Sequence, residues 1–171
     1  MKVSAHFISA AGALLLCICA ADAMAQASAT YSGRNGATTG FARQSGQHSV
    51  TYTNRSGAVQ ARATTTSPNN VIYSDRNGRT TGYARSSGSN AVTYTDRSGA
   101  TVARARTDSS GNTTFTDRSG RVTGYARASS SGSITYTDRS GAVTGRARVN
   151  PSGASIPERP DQIYPQATHK P

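Results

Sequence analysis

Polar and apolar positions alternate in short runs along most of this chain, and the runs return at one fixed spacing. An aromatic residue stands at Tyr31, Tyr52, Tyr73, Tyr94, Phe115 and Tyr136, every 21 residues, and most of these head a phrase close to Thr-Tyr-Thr-Asp-Arg-Ser-Gly. A period of this length marks a repeat architecture, in which each unit buries little alone and is completed by its neighbours. Within the fourth unit, alternation on both sides of Asp96-Arg97-Ser98-Gly99 predicts two strands around a tight turn. Asp at the first place and Gly at the fourth suit a type I turn closed by a left-handed Gly bulge. The expected fold is all-β: six hairpins laid side by side as an elongated single-layer meander sheet or a β-solenoid.

The turn implies a register. With Arg97, Ser98 and Gly99 as the loop, Asp96 faces Ala100, Tyr94 faces Val102 and Val92 faces Arg104. One face then carries Val92, Tyr94, Asp96, Val102, Arg104 and Arg106, and the other Thr93, Thr95, Thr101, Ala103 and Ala105. In the same register Asp117 with Arg121, and Asp75 with Arg79, are cross-strand pairs, each contributing ~0.2–1 kcal/mol.

A second regularity overlies the first. Odd units carry an aromatic at one position (Phe41, Tyr83, Tyr125) where even units carry Arg (Arg62, Arg104, Arg146), so the module is 42 residues. Equivalent positions in successive hairpins lie ~9.6 Å apart, and rings and guanidinium groups are expected to interleave. The turn arginines Arg34, Arg55, Arg76, Arg97, Arg118 and Arg139 are expected to form a row along one edge. Asp75, Asp96, Asp117 and Asp138 partly neutralise it. Gly33 and Asn54 leave the first two units as the more positive end.

Composition narrows the choice of core. After Gln26 there is no Leu, Trp, Met or Cys, and the aliphatics are eight Val and four Ile spread thinly. At ~25 cal/mol per Å² of apolar surface buried, such side chains need dense backbone hydrogen bonding and aromatic packing beside them. Disorder is the competing expectation for a chain so rich in Gly, Ser and Thr; regular spacing of Tyr and Val argues against it. The tail from Asn150, with its five prolines, is expected to be unstructured. Residues 1–25 read as a secretory leader: Lys2, an apolar stretch at 7–20, and Ala23-Met24-Ala25 as a small-residue cleavage site. Both cysteines, Cys17 and Cys19, lie in it, and neither Leu16 nor Ile18 is the small residue a lipid-attachment site wants before its cysteine, so the processed chain is expected to be neither disulfide-bonded nor lipidated, and to carry no transmembrane segment. The repeat domain spans 26–149, and the expected destination is the periplasm or the exterior.

Seventeen of nineteen basic residues are Arg, and the net charge is +11. Arg's planar fork matches carboxylate, sulfate and phosphate groups, so an anionic partner is expected: envelope polysaccharide, lipopolysaccharide or another glycan. Nucleic acid is a weaker candidate, because no nucleic-acid motif is present and the leader points to export. The ligand-binding side chains singled out by the pattern are Arg62, Arg104, Arg146, Tyr83 and Tyr125, joined by Arg34 and Arg55 at the unbalanced turns. Against this stands the plainer reading that aromatics form the core and Arg stems cover them. The histidines after the leader, His48 and His169, are isolated, and the recurring Asp residues occupy turn positions. The chain offers no catalytic set, cofactor motif or metal-ligand spacing, so it is read as a non-enzyme.

The phrase at 115–122, aromatic-x-Asp-x-x-Gly-Arg-Val, resembles the YD repeats of RHS-type secreted proteins over residues 30–149. That resemblance implies β hairpins that wind into shells around cargo and often meet carbohydrate; six units are too few to enclose any. More distantly the chain is similar to cell-wall-binding repeats, through Thr39-Gly40, Thr81-Gly82, Thr123-Gly124 and Thr144-Gly145. The Trp that those repeats use to cage choline is missing, so no ligand residue carries over. Two further functions remain open: self-assembly into a fibre or surface layer through exposed sheet edges, and delivery as a secreted effector.

Overall fold

The computed structural model describes residues 28–149, except Ser89. The expected leader and the Pro-rich tail lie outside the described residues. Twelve antiparallel strands follow one another: β1 Ser28–Gly33, β2 Thr38–Gln44, β3 Ser49–Asn54, β4 Val59–Ser67, β5 Asn70–Asp75, β6 Thr80–Ser86, β7 Ala91–Asp96, β8 Thr101–Thr107, β9 Asn112–Asp117, β10 Val122–Ala128, β11 Ser133–Asp138 and β12 Val143–Val149. Each pairs with its chain neighbours, and β12 returns to pair with β1, from Ala29 opposite Val149 to Gly33 opposite Gly145. The sheet is a closed barrel, which corrects the expected open meander or solenoid.

Closure follows from the stagger. Tyr52 lies opposite Ala61 on β4, whereas Tyr73 lies opposite Ala63 on the same strand, so each hairpin advances the register by two residues. Over six hairpins the shift reaches the number of strands. That ratio matches the eight-stranded barrels tilted by ~36°, so the last strand arrives beside the first. Among the described strands no sheet edge is left open, which removes the unpaired edges on which fibre formation was expected to depend.

The turn itself forms as expected. Asp96 N donates to the Ala100 carbonyl at 2.9 Å, Gly99 N donates to the Asp96 carbonyl at 3.0 Å, and Gly99 has φ 86°. The register beyond it does not. Thr95 faces Thr101, but Tyr94 faces Ala103 and Thr93 faces Arg104, because a bulge follows immediately. One extra residue turns every later side chain on that strand to the opposite face. The expected grouping of Tyr94 with Arg104 and Arg106 is therefore corrected: Tyr94, Ala103 and Ala105 point inward, and the arginines point outward with the threonines. All six turn hairpins carry a register shift at the same place.

Inside, the six repeat aromatics form one layer, with Tyr52 and Tyr73 at 0% and 2% exposure. On the intervening strands Gly or Ala faces each ring, as Ala61 faces Tyr52 and Ala63 faces Tyr73 on β4. Eight strands make a barrel that ordinary side chains fill; twelve enclose more space, and the long Tyr rings occupy it where small neighbours leave room. Each ring removes roughly 150–250 Å² from water, about 4–6 kcal/mol at ~25 cal/mol per Å². Gly124 has an added reason to lack a side chain: a Cβ there would collide with the Thr137 carbonyl oxygen. Val71, Val50 and Ile134 cap the layer toward the other end of the barrel, and Thr113, which takes the same place in the fifth unit, shares a 2.9 Å hydrogen bond with Thr107.

Among the described residues no helix is long and apolar enough to cross a membrane. The barrel wall is also unlike a lipid-facing one. Its outward positions hold mainly Thr, Ser and Arg, with the separated rings of Phe41, Tyr83 and Tyr125 among them, and Arg at a bilayer midplane costs ~2–4 kcal/mol per residue in barrels.

Candidate ligand-binding surface

All six type I turns lie at one end of the barrel, so the expected row of turn arginines is a ring around that rim. In the last four units the turn Asp builds the loop beneath the tip. Asp96 Oδ1 accepts hydrogen bonds from Ser98 N at 2.8 Å, Ser98 Oγ at 2.6 Å and Ala100 N at 3.0 Å. Asp117 and Asp138 repeat this set. The expected cross-strand partnership of Asp117 with Arg121 is thus mainly a bond from the Arg121 backbone amide, at 2.9 Å.

Asn54 does the same work without charge, accepting from Ser56 N at 3.0 Å, Ser56 Oγ at 2.7 Å and Ala58 N at 2.9 Å. In the first unit Gly33 opens the turn and Asn35 Oδ1 accepts from Ala37 N at 3.2 Å. The first two turns therefore keep their shape with no carboxylate. Arg34 and Arg55 stand on the rim's uncompensated sector.

The serine hydroxyls at 98, 119 and 140 lead in holding Asp96, Asp117 and Asp138 below their ordinary value of 3.8; partial desolvation opposes them and backbone amides assist. At Asp108, in a loop at the opposite end, the Asn112 backbone amide leads. A carboxyl whose folded pKa is depressed stabilises the fold above its unfolded value, and this is lost as pH falls through the folded value. The melting temperature is expected to be flat from pH 7 to about 4 and to drop below that. Replacing Asp96, Asp117 and Asp138 by Asn, which Asn54 shows to fit the turn, should flatten the acid limb in thermal melts followed by circular dichroism.

The wall between the ends is ridged. Even-numbered strands carry the tall outward residues and odd-numbered strands mostly Ser and Thr, with Ile72 on β5 the exception opposite Tyr83, so each odd strand floors a furrow between ridges ~9.6 Å apart. Tyr83 on β6 faces Thr95 on β7, and Arg104 on β8 faces Thr93 on the same strand. Tyr83 and Arg104 thus flank β7, with the Arg104 guanidinium leaning over β9, where Nη1 donates to the Arg118 carbonyl at 3.4 Å. Tyr125 and Arg146 flank β11, through Thr137 and Thr135. Phe41, Tyr83 and Tyr125 are 40%, 39% and 40% exposed, whereas the floor threonines of β7 and β11 are half-buried beneath the banks.

The structure therefore separates the sequence-chosen residues into two groups. Arg62, Arg104, Arg146, Tyr83 and Tyr125 share one belt around the wall, and Arg34 and Arg55 sit on the rim. The plainer reading holds for the repeat tyrosines, which are core, but not for Tyr83 and Tyr125. Sequence reasoning left out Phe41, the third aromatic of the belt, and a second belt of Arg43, Arg85, Arg106, Arg127 and Arg148 nearer the opposite end. The signal was present: Arg follows two residues after every belt position except Arg62, which Thr64 follows, and a two-residue step on a strand keeps to one face. The expected 42-residue module appears as a threefold pattern, since aromatics occupy β2, β6 and β10 and arginines β4, β8 and β12. Among the described residues no group of three or more His, Cys, Asp or Glu is placed to hold a metal ion. No protein-family model and no curated protein sequence matches this chain.

Proposed function

We propose that this is an exported, non-enzymatic protein that binds an anionic glycan, such as an acidic envelope polysaccharide or lipopolysaccharide, through its Arg belts and rim. One observation carries the reading: guanidinium groups and exposed rings alternate around a rigid closed wall with hydroxyl-bearing floors between them. Arg supplies paired donors to sulfate, phosphate or carboxylate, exposed rings offer flat apolar faces to sugars, and Thr hydroxyls both donate and accept. The 16 arginines of the described barrel are opposed by five carboxylates, so attraction acts before contact.

Binding to immobilised heparin and lipopolysaccharide should weaken by on the order of tenfold between 50 and 200 mM salt, as expected where a few ion contacts release counterions. Asn54→Asp keeps the turn's hydrogen bonds and adds a negative charge beside Arg55, so it should weaken binding; Asp96→Asn should strengthen it. Affinity that is absent, or indifferent to salt and to both substitutions, excludes this function.

A further inference from the structure

Three departures from the repeat meet on the outer wall over β5. At the level of the second belt, β4 carries Thr64 where the other even-numbered strands carry Arg, and β5 carries Ile72 where the other odd-numbered strands carry Thr. These two residues and Tyr83 form one cross-strand row, Thr64 opposite Ile72 and Ile72 opposite Tyr83. An aromatic and a β-branched side chain so opposed pack together, and the short Thr64 leaves the far side of Ile72 open. The third departure is the connection. Pro68 and Asn69 alone join β4 to β5, whereas four residues join the strands after β2, β6, β8 and β10. The short connection sets Ser67 opposite Asn70, and Asn70 Nδ2 donates to Ser67 Oγ at 2.8 Å.

Two guanidinium groups lean toward this strand from opposite banks. From β4, Arg62 Nη1 donates to the Arg76 carbonyl at 3.4 Å, and from β6, Arg85 Nε donates to Asn70 Oδ1 at 3.1 Å. Each bond uses one of the guanidinium's several N–H donors, so it aims the group and leaves the others for an anion. The anchors, Asn70 and Arg76, are six residues apart in the chain, roughly 20 Å at the rise of an extended strand. Ile72 and Tyr83 lie between them.

We propose that the β5 furrow is a distinct subsite for a short segment of an acidic glycan. One sugar ring seats its apolar face on Ile72 and Tyr83, and sulfate, phosphate or carboxylate groups on the flanking sugars pair with Arg85 and Arg62. This deepens the anionic-glycan reading above and rests on it. The β9 furrow shows what the departures add. It has a similar frame, with Arg104 on the Arg118 carbonyl and Tyr125 opposite Thr114, but Arg106 stands across that Thr. A further guanidinium there takes the place of the open apolar patch. Single-stranded nucleic acid suits the wall less well, because base stacking uses successive rings and the exposed aromatics stand on β2, β6 and β10, four strands apart.

Thr64→Arg separates this subsite from attraction by charge alone, since it adds a positive charge and restores the residue of the other units while crossing Ile72. In calorimetric titration with a size-fractionated heparin tetrasaccharide, Thr64→Arg and Tyr83→Ser should each weaken binding by about fivefold or more, the low end of the effect of removing one stacked aromatic. Ile72→Thr, also a return to the repeat's residue, should act in the same direction. Tyr125→Ser, at the matching place on β10, should change affinity by less than about twofold, as contacts outside an energetic centre do. All four positions face outward, and matching thermal melts check that each variant is folded. Tighter binding by Thr64→Arg, or equal losses for Tyr83→Ser and Tyr125→Ser, overturns the subsite and leaves anionic-glycan binding by the belts intact. A single-stranded DNA oligonucleotide that binds more tightly than the tetrasaccharide and responds to the same substitutions overturns the glycan assignment. Binding of neither probe by the unaltered protein removes both this inference and the function beneath it.

Discussion

Deleting the last hairpin, residues 133–149, is expected to abolish cooperative folding. β12 pairs with β11 on one side and β1 on the other, so its loss leaves β10 and β1 as bare edges and takes Ile134, Tyr136 and Ala147 out of the core. In an open array each unit touches only its neighbours, and removing a terminal one subtracts one interface and little else. In a closed barrel the same deletion opens a seam along the full strand length and admits water to the layer of aromatic rings. Exposed edges also invite pairing between molecules. Urea unfolding should lose its sigmoidal transition, and light scattering should rise with concentration. A truncated chain that melts cooperatively with proportionately lower stability would mean that the sheet is not closed.

Tyr52→Ala is expected to cost about 3–5 kcal/mol, the range for emptying a buried aromatic site. Tyr52 is fully buried, and strands locked into a ring cannot slide together to fill the gap. Its unfolding midpoint should fall by several degrees per kcal/mol. Tyr52→Phe should cost much less, since Phe115 holds the equivalent place in the fifth unit. Tyr83→Ala is the contrasting case: an outward ring whose removal should shift stability by no more than about 0.5 kcal/mol. Comparable losses at Tyr52 and Tyr83 would show that the division between inside and outside has been misassigned.

That division was only partly legible in the sequence. The 21-residue period, the Asp-to-Gly turns and the pairing of strands within hairpins are local, and local backbone chemistry decides them: Gly99 tolerates positive φ and the Asp carboxylate meets nearby amides. The bulge after each turn carries no residue that announces it. Thr101 and Val102 are ordinary strand formers, so counting outward from the turn placed Tyr94 and Arg104 on one face. Packing decides otherwise. Six rings can share one interior only if the arginines leave it, and one unpaired residue per hairpin achieves this.

The repeat, the excess of Arg and the alternation of aromatic and Arg in a 42-residue module are properties of residue order alone, and the turn chemistry depends on residues a few positions apart. Tertiary structure alone decided that the sheet closes, that one set of tyrosines is core while Tyr83 and Tyr125 face solvent, and that the turn arginines form a ring and not a row. Those outcomes depend on a stagger of two residues per hairpin summed around the whole ring. A small offset that looks the same in every repeat becomes visible only when the twelfth strand meets the first.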